Sequence, residues 1–135
     1  MQTRMAFSVL VIVILLAGCR TAPVHNITRS DVPPGLSAEF VGKVIKYAAG
    51  RRGWTIDEAS PGHIVASILR RDWYRAVVDI SYGANFFSIT YRDSENLGYD
   101  GVRIHRNYNS WVIKLERTIH KELSRSVAPP RPSLE

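Results

Sequence analysis

Apolar and polar positions recur along this chain in two rhythms, and the rhythms divide it into elements. Between Ser37 and Gly50, the residues Phe40, Val44, Tyr47 and Ala48 fall on one face at helical spacing. Ser37 suits the N-cap, Glu39 suits the first turn, and Gly50 is placed to end the helix. From Trp54 to Tyr91 the period drops to two. Trp54 and Ile56 mark a short strand, and Ser60-Pro61-Gly62 marks a turn. Ile64, Ala66 and Ile68 share one face of the next strand. Ala76, Val78, Ile80 and Tyr82 share one face of another. Gly83-Ala84-Asn85 connects it to Phe86–Tyr91, with Phe87, Ile89 and Tyr91 inward. A polar stretch with two glycines, Arg92 to Arg103, is expected to be a loop. The helical rhythm then returns from Asn107 to Ser124, with Trp111, Val112, Leu115, Ile119 and Leu123 as the buried stripe.

The short connections predict antiparallel neighbours. The expected fold is therefore α+β: a helix, a three- to four-stranded antiparallel meander and a second helix, with both helices on one face of the sheet. This domain would run over residues 37–125. The segment 19–36 carries three prolines and no period, and reads as a flexible tether. Fully extended, Arg20 to Leu36 would reach roughly 55–60 Å. The closing residues 126–135, rich in proline, are expected to be a disordered tail.

The first residues follow neither rhythm. Arg4 gives a positive start, and Ala6 to Ala17 is an apolar run of 12 residues. As a helix that run is roughly 18 Å long, against about 30 Å for a bilayer core. It fits the core of a secretory signal. Leu16-Ala17-Gly18-Cys19 then resembles the lipobox of bacterial lipoproteins, in which small residues precede a cysteine. That resemblance implies cleavage between Gly18 and Cys19 and attachment of diacylglycerol, with palmitate-type acylation, at Cys19. A thiol forms its nucleophilic thiolate far more readily than a hydroxyl forms an alkoxide, which suits that chemistry. Two or more acyl chains give stable anchoring. Arg20 follows the cysteine where aspartate would retain an enteric lipoprotein in the inner membrane. The same resemblance thus implies the bacterial outer membrane, with the domain facing the periplasm.

Removal of 18 of the 135 residues leaves 117, enough for one core. Net charge is +6 before cleavage and +5 after loss of Arg4. Cys19 is the only cysteine, so no disulfide or thiolate metal site is expected. The positive balance suits anionic neighbours such as lipid headgroups. The basic residues are dispersed, with Arg51-Arg52 and Arg70-Arg71 the only pairs, so nucleic acid is not an expected partner. The arginine pairs read as solvated turns and strand ends.

Candidate chemistry is sparse. His25, His63, His105 and His120 do not converge by spacing. Glu116 and His120 share a helix face, which suits a solvated ion pair; no metal and no cofactor is expected. No GxSxG occurs, and Ser94, His105 and Asp93 or Asp100 make only a generic hydrolase set. The best candidate binding loop combines aromatic faces with amide and hydroxyl tips: Tyr91, Ser94, Asn96, Tyr99, His105, Asn107 and Tyr108. The same residues also serve as turn formers, helix caps and core edges. Of the tryptophans, Trp73 is expected to be the most exposed.

Gly53-Trp54, "ITYRDSENLGYD" from Ile89 and "IHRNYNSWVIKLE" from Ile104 resemble a group of small proteobacterial lipoproteins. That resemblance implies envelope location and fold and supplies no catalytic residues. The expected role is binding or structural, with an envelope protein or peptidoglycan as partner. A small envelope hydrolase, and a lipid or glycan carrier, are the alternatives.

Overall fold

Alternating apolar residues build the centre of the molecule. The computed structural model describes residues 20–128; Gly18, Cys19, the apolar run and the residues after Ala128 lie outside them. Strands β3 (Thr55–Ser60), β4 (His63–Arg70), β5 (Tyr74–Tyr82) and β6 (Phe86–Glu95) form an antiparallel meander. Ile64, Ala66 and Ile68 on β4, Ala76, Val78 and Ile80 on β5, and Phe87 and Ile89 on β6 are buried together. Against them lie the buried stripes of helices α1 (Ala38–Arg51) and α2 (Arg106–Val127), chiefly Val41, Ile45 and Ala48, and Val112, Leu115 and Ile119. Each such side chain contributes about 1.5–3 kcal/mol, Ala less, which makes this single core the main stabilising term.

The architecture is α+β, as the patterning predicts, but it contains more strands. The expected tether is built into the fold. β1 (Thr21–Pro23) pairs antiparallel with β7 (Arg103–His105) as a small separate sheet. β2 (Ile27–Asp31) adds to β6, giving the five-stranded order β2-β6-β5-β4-β3. The reason is long-range polar bonding that no local period reveals. Asn109 accepts from the His25 N–H at 2.9 Å and donates to the Pro23 carbonyl at 2.9 Å. Asn26 accepts from the Tyr91 N–H at 2.8 Å. Ile27 and Val32 are buried as the segment passes.

Three local expectations also change. Phe40 and Tyr47 are 38% and 55% exposed, because Val41 and Ile45 instead join Val44 and Ala48 in the stripe. Gly50 lies inside the last turn of α1, and Gly53, with φ of 80°, reverses the chain. The expected loop from Arg92 begins as strand, since β6 continues to Glu95. Ser37 caps α1 as expected, its Oγ accepting from the Phe40 N–H at 3.2 Å. β3, the outer edge, carries the exposed charges Asp57 and Glu58, which discourage pairing with other chains.

Candidate functional site

A bulge in β6 creates the most concentrated group of candidate residues. Val78 pairs with Tyr91, but Val77 pairs with Asp93, so Arg92 is the extra residue. The bulge moves Ser94, opposite Ala76, to the core face beside Tyr91. The Tyr91 and Ser94 hydroxyls are consequently 2.8 Å apart and hydrogen-bonded. Tyr99 stacks on Tyr91 with ring centroids 4.1 Å apart, and Tyr108 meets the Tyr91 ring edge-on at 5.7 Å. The three rings make a column from the core, where Tyr108 is buried, to the surface at Tyr99.

Burial raises the Tyr91 phenol above its ordinary range, with the Ser94 hydrogen bond opposing the shift. Burial raises Tyr108 further, and neighbouring Tyr91 and Tyr99 add to it. The Tyr108 hydroxyl is buried with no hydrogen-bond partner among the described residues. Tyr91 and Tyr108 are therefore neutral hydrogen-bonding or packing groups at neutral pH, not nucleophiles.

The remaining predicted residues are drawn into structural roles. Asn96 takes a left-handed backbone, φ 63°, and its amide donates to the Trp73 carbonyl at 2.8 Å. His105 caps α2: its Nδ1 accepts from the Asn107 N–H at 3.2 Å, which assigns the ring proton to Nε2. The Asn107 side chain is exposed. Asp100 accepts from the backbone N–H groups of Arg103 and Val102, at 2.7 and 2.9 Å. Those two bonds, Arg103 first, hold its carboxyl below the usual range. Tyr91, Ser94, Tyr99 and Tyr108 thus come together, whereas His105, Asn107 and Asn96 do not join them. Among the described residues no hydrogen bond links Ser94 to His105.

Glu116 and His120 do approach, at 3.8 Å, but a third residue unforeseen in the sequence completes the group. Ser30 on β2 donates to Glu116 Oε1 at 2.6 Å and contacts His120 Nε2 at 3.1 Å. Among the described residues no set of three or more His, Cys, Asp or Glu side chains is grouped to hold a metal. No helix among them is long and apolar enough to cross a membrane.

Two open grooves lie away from the tyrosine column. One, of about 490 Å³, separates α1 from the β3–β4 turn and is floored by Gly42 and Tyr82. The other, of about 550 Å³, lies where the end of α1 meets α2 and the end of β4. The hints of the second groove in the sequence are the arginine pairs Arg51-Arg52 and Arg70-Arg71, which nothing local brings together. No protein-family model, curated protein or solved structure matches this chain.

Proposed function

We propose that this chain is a lipid-anchored protein of the bacterial envelope, held at Cys19 in the outer membrane and facing the periplasm. Its role is binding or structural, with an envelope protein or peptidoglycan as partner. The anchor rests on the "LLAGC" pattern and the outer-membrane assignment on Arg20. That sequence pattern is the observation that carries the reading; the structure adds only how close the fold begins to Cys19. The Arg20 carbonyl accepts from the Arg106 N–H at 2.9 Å, and β1 begins at Thr21. A lipid on Cys19 would be coupled to the folded domain through a single residue, with no spacer. Such coupling confines the domain to the membrane surface and raises its effective concentration for partners there.

The hydrolase alternative gains no support from the geometry, since Ser94 bonds to Tyr91 and His105 Nδ1 caps α2. The carrier alternative has the α1 groove in its favour, though that groove is open rather than enclosed.

Metabolic labelling with radioactive palmitate tests the anchor. The wild type is expected to take up label and Cys19→Ala to lose it; label retained by Cys19→Ala refutes the anchor. Crosslinking in the native envelope tests the role. Recovery of lipid alone, without protein or glycan, excludes the scaffold reading.

A further inference from the structure

The second groove gathers cations in a lining that contains no acidic residue. Arg51, Arg52, Arg70 and Lys114 line it, with Trp54 and Trp111 as an aromatic wall. A smaller groove of about 220 Å³ shares Arg51 and Arg52 and adds Lys121 and Arg125. Its one acid, Glu122, pairs with Arg125 at 3.2 Å. Among the described residues, Arg52, Arg70, Lys114 and Lys121 have no carboxylate oxygen within 4.0 Å. Other described cations, such as Arg71, Arg103 and Arg117, also lack one, so what sets this groove apart is that its cations share one lining with no acid among them.

Two of these guanidiniums are held in position by neutral acceptors. Arg52 Nε donates to Thr118 Oγ1 at 2.6 Å, and that hydroxyl donates to the Lys114 carbonyl at 2.9 Å. Arg70 Nη2 donates to the Arg52 carbonyl at 3.0 Å. Gly53 makes room for it: a Cβ there would stand 3.2 Å from both Arg70 terminal nitrogens, at a φ of 80°. A guanidinium has five donors in a planar fork, so each side chain keeps several free after these bonds. Pre-positioned forks facing a polar groove are suited to bidentate recognition of an oxyanion. An anion entering the groove would relieve the mutual repulsion among the cations.

We propose that this groove binds a phosphate group, held by Arg52, Arg70 and Lys114, with the body of the ligand against Trp111. A membrane-lipid headgroup and free phosphate present the same chemistry. The groove stands on its own geometry and does not depend on lipidation of Cys19.

The test uses the full mature chain, isotope-labelled, in detergent micelles. The Trp111 indole and Arg70 Nε–H signals are followed by NMR during titration with inorganic phosphate, with short-chain phosphatidylglycerol, and with sodium chloride at matched ionic strength. A saturable shift with phosphate assigns a free anion; a shift with the lipid alone assigns a headgroup. Either supports the groove. Arg70→Gln/Lys114→Gln, both at exposed positions, should weaken binding by roughly tenfold or more while the rest of the spectrum stays native. No saturable shift with either probe, the same shift with chloride, or undiminished binding by the natively folded double variant overturns the proposal.

Discussion

The hydroxyl of Ser30, on β2, donates to Glu116 Oε1, on α2, at 2.6 Å across 86 residues of sequence. Ser30 is only 8% exposed, so the bond is shielded from water. It ties the added edge strand to the helix that crosses it. Ser30→Ala leaves a half-buried carboxylate without its donor and is expected to cost about 1–3 kcal/mol in chemical denaturation. Glu116→Gln removes the charge and should cost less. The two substitutions together should be less than additive, because they share one bond. Full additivity would show that the Ser30–Glu116 contact does not stabilise the fold.

That bond also explains which parts of the fold were legible in the sequence. The meander from Thr55 to Tyr91 and both helices were readable because each buries alternate or helically spaced apolar residues. β1 and β2 were not. Their residues, "TAP" and "ITRSD", lack a period, and prolines surround them. What orders them are single polar bonds to Asn109, Tyr91 and Glu116, whose partners lie 65 or more residues away. The loop residues were identified but their grouping was not. The bulge at Arg92 changes the face of Ser94, and a bulge leaves no mark on composition. The basic groove was missed because Arg70 and Arg52 are 18 apart and look like separate strand ends.

Tyr108 carries a buried hydroxyl without a partner among the described residues. Tyr108→Phe removes that group while keeping the ring against Tyr91. It is expected to be neutral or to stabilise by about 1 kcal/mol, since an unsatisfied buried hydroxyl is unfavourable. The pH dependence has a definite sign. The folded-state phenol is raised above its unfolded value of about 10, so its contribution is intact below that pH and is lost as pH rises beyond it. Unfolding midpoints of wild type and Tyr108→Phe measured from neutral to alkaline pH should therefore diverge only at the alkaline end, with the wild type falling faster. Parallel curves would mean that the phenol titrates freely in the fold.

Gly42 lies on α1 under the Tyr82 ring. A Cβ there would meet Tyr82 Oη at 2.6 Å and Cζ at 2.7 Å. Alanine would push the ring off the helix and away from the Ser60 carbonyl, which its hydroxyl reaches at 3.4 Å. Against this stands the helix propensity of alanine, worth about 1 kcal/mol over glycine. In the wild type the two effects oppose, so Gly42→Ala should be neutral or destabilising. In a Tyr82→Ala background only the propensity remains, and the same substitution should stabilise by about 1 kcal/mol. Equal effects in both backgrounds, read as denaturation midpoints, would exclude the clash.

Trp73 provides the sharpest test of how the domain would meet a membrane under the proposed lipid anchor. It is 60% exposed, beside Arg71 in the β4–β5 turn, and Val102 in the β6–β7 connection is 69% exposed. A chain of bonds joins this end to the start of the fold. Asn96 donates to the Trp73 carbonyl, the His105 N–H donates to the Leu97 carbonyl, and His105 pairs with Thr21. Thr21, near the start of the described residues, is therefore tied to the same end as Trp73. Tryptophan and arginine are the side chains suited to the headgroup layer, the ring in the boundary and the cation on phosphate. Lipidated protein reconstituted in vesicles with brominated acyl chains is expected to show quenching of Trp73. Trp73→Phe should reduce the quenching to what the buried Trp54 and the partly buried Trp111 contribute. The mass of the purified protein reports separately whether Cys19 carries lipid. A lipidated protein whose quenching is unchanged by Trp73→Phe would mean that the domain turns this end away from the membrane, even though the anchor holds.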